Sequence, residues 1–155
     1  MIRWRGGFTF IEMLMVMIVL GVLSGMAILK YIDLRHRAMS ARVAADFETV
    51  RLAAYSAWYE TGNWPAEVGP GVTPPDLVPY LPGSFNFTQP DFTLDWENFA
   101  PPQGGPSGGM QVGLVLTSNN SRLQLALAQM LGNKGIFFSS GNALTLVIVG
   151  PDGKS

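Results

Sequence analysis

Apolar residues first fill this chain almost without a break, then recur at helical spacing, then alternate with polar ones. From Phe8 to Leu29 the only polar side chains are Thr9, Glu12 and Ser24. Wound as a helix, these 22 residues reach across a hydrocarbon core of ~30 Å. From Lys30 to Glu60 there is neither Pro nor Gly, and Ala is abundant, which favours continued helix. Within it Val43, Phe47, Val50, Ala54 and Trp58 recur at steps of four, three, four and four, a single apolar stripe. Arg42, Asp46, Arg51 and Glu60 fall elsewhere on the circumference. The first part of this helix suits lipid, and residues 30–62 are an amphipathic half that must pack on something folded. From Phe8 to Thr61 the rod is roughly 80 Å long. Gly62 followed by Pro65 ends it.

The period then changes. Residues 65 to 83 hold six prolines and three glycines, an irregular surface connector that no helix survives. Phe92, Leu94 and Trp96 alternate with Thr93, Asp95 and Glu97, which predicts a half-buried strand. Pro101 to Gly109 is a Pro/Gly loop, and Val112 to Leu116 a more buried strand interrupted by Gly113. Ser118-Asn119-Asn120-Ser121 offers N-caps for a short helix with Leu123, Leu127, Met130 and Leu131 on one face, ended by Gly132. Ile136 to Phe138 and Ala143 to Val149, joined through Ser140-Gly141-Asn142, predict a closing hairpin with a Gly-first turn. One long helix before an antiparallel sheet is an α+β fold; the helix between strands leaves the strand order open.

Composition narrows the chemistry. With 155 residues there is room for one domain, here residues 63–155 with the amphipathic half of the helix. The formal charge is −1, with no basic run, so there is no electrostatic footprint for nucleic acid. No cysteine means no disulfide and no thiol nucleophile. A single histidine, His36 between Arg35 and Arg37, reads as a solvated face and builds neither a triad with a cysteine nor a multi-histidine metal site. Asp95 and Glu97 fall on the polar face of a strand, where solvent is the ordinary explanation. Asn86-Phe87-Thr88 and Asn119-Asn120-Ser121 match a glycosylation sequon, a short pattern that is common by chance.

Glu12 is the residue that needs explaining. A carboxylate at the bilayer centre costs roughly 2.5–3.5 kcal/mol on insertion scales, somewhat less near the interface. Such a residue ordinarily has a partner, and the expectation is one on another molecule. An ordinary secretory signal, cut near Gly25-Met26-Ala27, or a plain signal anchor would both leave Glu12 without a use. Basic residues flank both ends, Arg3 and Arg5 on one side and Lys30, Arg35 and Arg37 on the other, so charge does not orient the segment.

The run Arg3 to Glu12, with Gly6-Gly7-Phe8 at its centre, resembles the class III signal peptide of type IV prepilins and type II secretion pseudopilins. The resemblance implies that residues 1–7 are a leader cut after Gly7 by a prepilin peptidase that also N-methylates Phe8. It implies a transmembrane and assembly helix over residues 8–29, in which Glu12 meets the N-terminal amine of a neighbouring subunit. Cleavage would leave 148 residues and move the formal charge to −3. Tyr59, Gly62, Trp64 and Pro65 resemble the punctuation after the long helix of major pseudopilins. Gly150-Pro151-Asp152-Gly153 resembles their terminal glycine-aspartate turn, which there adjoins calcium; the further carboxylates of that site are missing here, so no cofactor is expected. Gly21 and Gly25 form a GxxxG suited to close helix packing. Leu29 stands where pilins carry a second helix breaker, and the disulfide many pilins close is absent.

Taken together the resemblance implies a pilin-like fold and a structural, non-enzymatic filament subunit, a secretion pseudopilin before a type IV pilus pilin. Its partners would be the prepilin peptidase, identical or homologous subunits, and an inner-membrane assembly platform. It would cross the inner membrane once with its C-terminal domain periplasmic, then enter an envelope-spanning or extracellular filament. A membrane-anchored periplasmic binding module that never polymerises is the reading from another class; an envelope enzyme is disfavoured by the lack of a convergent polar constellation.

Overall fold

The protein is described from a computed structural model, over residues 7–99, 111–132 and 137–150. Helix α1 runs over Phe10–Thr61, and the chain divides into two compact units, residues 1–36 and 37–155. Among its described residues the first unit has no buried side chain. Between Phe8 and Leu34 its large apolar side chains are exposed, from Ile32 at 37% to Phe10 at 81%. Among the described residues α1 is the one helix long and apolar enough to cross a membrane.

The second unit holds the core. Strands β1 (Thr93–Asn98), β2 (Val112–Thr117), β3 (Phe137–Ser140) and β4 (Ala143–Val149) form an antiparallel sheet in the order β1-β2-β4-β3. Helix α2 (Ser121–Leu131) connects β2 to the edge strand β3, and the chain returns through β4 to the middle. That order settles what the sequence left open. The C-terminal part of α1 packs Val43, Phe47, Val50, Ala53, Ala54 and Ala57 into one cluster with Leu94, Trp96, Leu114, Leu116, Leu144 and Ile148. Leu123, Leu127 and Leu131 of α2 join it, so a short helix and a small sheet share one interior. This long helix on a four-stranded antiparallel sheet is the α+β fold read from the pattern.

The predicted stripe needs one correction. Ala57 is buried at 1% exposure, whereas Trp58 stands 38% exposed. After Ala54 a step of three keeps to the core face, and a step of four turns about 100° past Ala57 onto the flank. Trp58 finds a partner there: its ring stacks on Trp64 with centroids 5.6 Å apart, and Tyr55 meets Trp64 edge-on at 5.3 Å. The helix ends as expected, with the Gly62 N–H donating to the Trp58 carbonyl at 2.8 Å.

The connector is more ordered than a run of prolines suggests. Pro75–Tyr80 forms a 3-10 helix that buries Leu77 completely. Its first proline stands at the helix start, where an N–H would have no helical partner in any case. Other parts of the connector seal the outer edge of β1. Gly71 N–H donates to the Leu94 carbonyl at 2.8 Å, and Leu94 N–H donates to the Phe87 carbonyl at 2.8 Å. Trp96 Nε1 and Asn98 Nδ2 both donate to the Pro65 carbonyl, at 2.9 and 2.7 Å. Gly71 sits at φ 78°, and a Cβ there would collide with the Thr88 hydroxyl. Gly141 opens the β3–β4 turn at φ 60° with an ordinary φ at Asn142, the Gly-first geometry predicted. Ile136, the loop Pro101 to Gly109 and the tail from Pro151 lie outside the described residues.

Candidate functional site at the N-terminal segment

Gly7, Phe8 and Thr9 precede the helix in non-helical backbone, and all three are exposed, Phe8 at 78%. Helix α1 begins when the Met13 N–H reaches the Thr9 carbonyl at 3.3 Å. Thr9 is thus the N-cap, and Glu12 occupies the third helical position. Glu12 Oε2 accepts from the Thr9 backbone N–H at 2.7 Å and from the Thr9 hydroxyl at 2.8 Å. The Glu12 N–H returns a bond to Thr9 Oγ at 3.3 Å. This is a reciprocal capping box, which satisfies amides that a helix start otherwise leaves orphaned.

The finding changes the reading of Glu12. Its nearest partner is three residues away in its own chain, where the sequence had sent the search to another molecule. The signal was present as Thr9-x-x-Glu12, the spacing of a capping box, and Thr9 is the residue that sequence reasoning missed. Glu12 Oε1 takes no part in these bonds, so one carboxylate oxygen is left for another donor. A carboxylate in the first turn also sits favourably at the positive end of the helix.

Around a Cβ built on Gly7, Gly21 or Gly25, nothing lies within 4 Å. No intrachain crowding therefore demands glycine at any of the three. At Gly21 and Gly25 the helix surface is open for another helix to approach closely.

The other residues singled out do not gather into a site. His36 is half-buried, and its Nδ1 has no hydrogen-bond partner among the described residues, so it is less solvated than its neighbours Arg35 and Arg37 suggested. Asp95 and Glu97 are half-buried too. Burial raises the Asp95 pKa above its ordinary value, and the negative charge of Glu67 adds to the shift. Burial likewise raises Glu97, reinforced by Asp95 and Glu67. This is a patch of mutually repelling carboxylates on the outer face of β1, not a freely solvated one. Among the described residues no group of three or more His, Asp or Glu side chains is placed to hold a metal. Beside β1 and the start of α2 lies an open polar cleft of about 650 Å³ that includes Asp91, Thr93, Asn119 and Arg122. A groove of about 660 Å³ between α1 and α2 has Ala41, Ala45, Met130 and Leu131 in its walls together with the charged Glu48 and Arg51.

Comparison with known proteins singles out the same segment. Residues 5–28 match the family described as the prokaryotic N-terminal methylation motif, the class III signal peptide of type IV pilins and pseudopilins. No curated protein and no solved structure matches the chain.

Proposed function

We propose that this chain is a structural subunit of a type IV filament, made as a prepilin and cut between Gly7 and Phe8. The observation that carries the reading is a methylation motif over residues 5–28 at the start of a helix whose apolar side chains are exposed, ahead of a unit with its own core. The motif supports pilin-like assembly with other subunits after processing by a peptidase. The role is that of a building block, not of a catalyst.

The finer assignment is a pseudopilin of type II secretion. Its support is the resemblance of Tyr59, Gly62, Trp64 and Pro65 to major pseudopilins. In this reading residues 8–29 anchor the precursor in the inner membrane and then line the filament. Residues 30–62 form the helix half that carries the periplasmic domain, and residues 63–155 complete that domain. Phe8 is N-methylated after cleavage. Glu12 exchanges its intrachain bonds with Thr9 for the amine of the adjacent subunit's Phe8, so two charges neutralise in an apolar surrounding.

Mass spectrometry of the membrane-extracted protein tests processing: loss of residues 1–7 with one added methyl on Phe8 is the expected result. A mature terminus at Ile28 would reveal a secretory signal, and an intact leader would reveal a plain anchor. Glu12→Val tests assembly; insertion and cleavage should persist while filaments disappear. Deleting the gene separates secretion from pilus function, since a pseudopilin is expected to affect export of folded enzymes and leave surface pili intact.

A further inference from the structure

The two glycosylation sequons match the same three-residue pattern, but the fold treats them differently. Asn86-Phe87-Thr88 is pinned at every position. Asn86 Oδ1 accepts from the Thr88 N–H at 3.0 Å, and the Thr88 hydroxyl donates to the Gly71 carbonyl at 3.1 Å. Phe87 between them is fully buried, and its carbonyl accepts from Leu94 N–H. Presenting this sequon to an enzyme would pull Phe87 from the core and unseal the edge of β1.

In Asn119-Asn120-Ser121 the central Asn120 is held as the cap of α2, but the acceptor side chain itself is open. Asn119 is exposed in the link between β2 and α2, and among the described residues its side chain makes no hydrogen bond. Ser121, also exposed, is the first residue of α2. The neighbours fix the link: Ser118 Oγ donates to the Asp91 carbonyl at 2.8 Å and accepts from Asn120 N–H at 3.1 Å. Asn120 Oδ1 caps Leu123 N–H at 3.3 Å. Asn119 itself borders the polar cleft, together with the exposed Asp91 and Arg122. Those side chains supply an acceptor and donors for sugar hydroxyls and an acetamido group.

We propose that Asn119 is an acceptor site for an N-linked oligosaccharide, with the cleft holding the sugar nearest the protein, and that the folded chain excludes Asn86. The donor class is a polyprenyl diphosphate-linked oligosaccharide. Asn119 Nδ2 forms a bond to the anomeric carbon and loses one proton to a base of the transferring enzyme. The carbon–oxygen bond to the diphosphate breaks, and the polyprenyl diphosphate leaves with the electron pair. The assignment goes beyond the filament reading and does not depend on it, since it rests on the globular unit alone.

The test uses the full chain in lipid vesicles with a purified oligosaccharyltransferase that accepts Asn-X-Ser/Thr and a polyprenyl diphosphate oligosaccharide. Peptide mapping by mass spectrometry should place the oligosaccharide on Asn119 and leave Asn86 bare. Asn119→Gln and Ser121→Ala should abolish the transfer, whereas Ser121→Thr and Asn86→Gln should retain it. Urea-unfolded chain should accept at both positions, which shows that the fold makes the selection. A folded chain left unmodified, transfer to Asn86 in the folded chain, or transfer surviving in Asn119→Gln would each overturn the proposal.

Discussion

The Thr9 hydroxyl and the Thr9 amide both donate to one oxygen of the Glu12 carboxylate, at 2.8 and 2.7 Å. A single threonine therefore both starts α1 and shields the carboxylate that an apolar surrounding would penalise. Thr9→Ala should cost about 1 kcal/mol of helix-start stability, the ordinary value of an N-cap. Amide exchange at Glu12 and Met13 in lipid vesicles should accelerate by roughly fivefold, given 1.4 kcal/mol per factor of ten. Thr9→Ser, which keeps the hydroxyl, should restore protection.

Residues from about Lys30 onward should fold as a soluble monomer without the membrane segment. Residues 37–155 form a compact unit whose core combines α1, α2, β1, β2 and β4, with Phe137 of β3 packed against it. Gel filtration and circular dichroism of residues 30–155 check this. An unfolded or lipid-dependent product would mean that the Val43, Phe47 and Val50 face needs a partner.

Trp96 ties the sheet to the connector. It is fully buried, and its Nε1 donates to the Pro65 carbonyl at 2.9 Å. Trp96→Phe keeps most of the apolar volume and loses that bond, so urea unfolding of the soluble part should show a loss of about 1 kcal/mol. Trp96→Ala leaves a cavity as well and should cost about 3–5 kcal/mol.

Gly71→Ala should destabilise by more than the ~1–2 kcal/mol of a left-handed backbone position, because the added methyl also meets the Thr88 hydroxyl. Against Thr88→Ala alone, which itself loses the hydroxyl's bond to the Gly71 carbonyl, adding Gly71→Ala should cost less than it does in the unaltered chain, while the backbone cost stays. Thermal unfolding of the single and double variants separates the two.

The carboxylates on β1 set the sign of a pH dependence. Asp95 and Glu97 have pKa values raised in the folded state, so the native chain holds their protons more tightly than the unfolded chain does. Their charged forms destabilise the fold above the raised values. Stability should therefore rise as pH falls from neutral through that range, until protons bind equally to both states below the ordinary carboxylate values. Melting temperature measured between pH 7 and 4 checks this. Asp95→Asn should raise the melting temperature at pH 7 and flatten the profile.

Much of this molecule was legible because its signals are local. The exposed apolar run, the break at Gly62, the alternation about Leu94 and Trp96, the Asn120 cap and the Gly141 turn each lie within a few residues of one another. What escaped depends on residues far apart. The order β1-β2-β4-β3 is decided by which strand α2 delivers to the edge, and no spacing encodes that. Trp58 leaves the core because Ala57 fits there and Trp64 waits on the flank. The shifts at Asp95 and Glu97 come first from burial, to which Glu67, about thirty residues earlier and brought close only by the fold, adds its charge. Thr9 is the exception, a local signal that the cost of Glu12 overshadowed.

The bonds from Gly71, Phe87 and Pro65 onto β1 have a consequence beyond the stability of one molecule. A bare outer strand is a template on which a second chain can add its own backbone and begin a fibril. Here one border of the sheet is occupied by the chain's own connector, and the other is β3, only four residues long. The connector that reads as mere proline-rich spacing thus leaves less of the β1 backbone open to such joining.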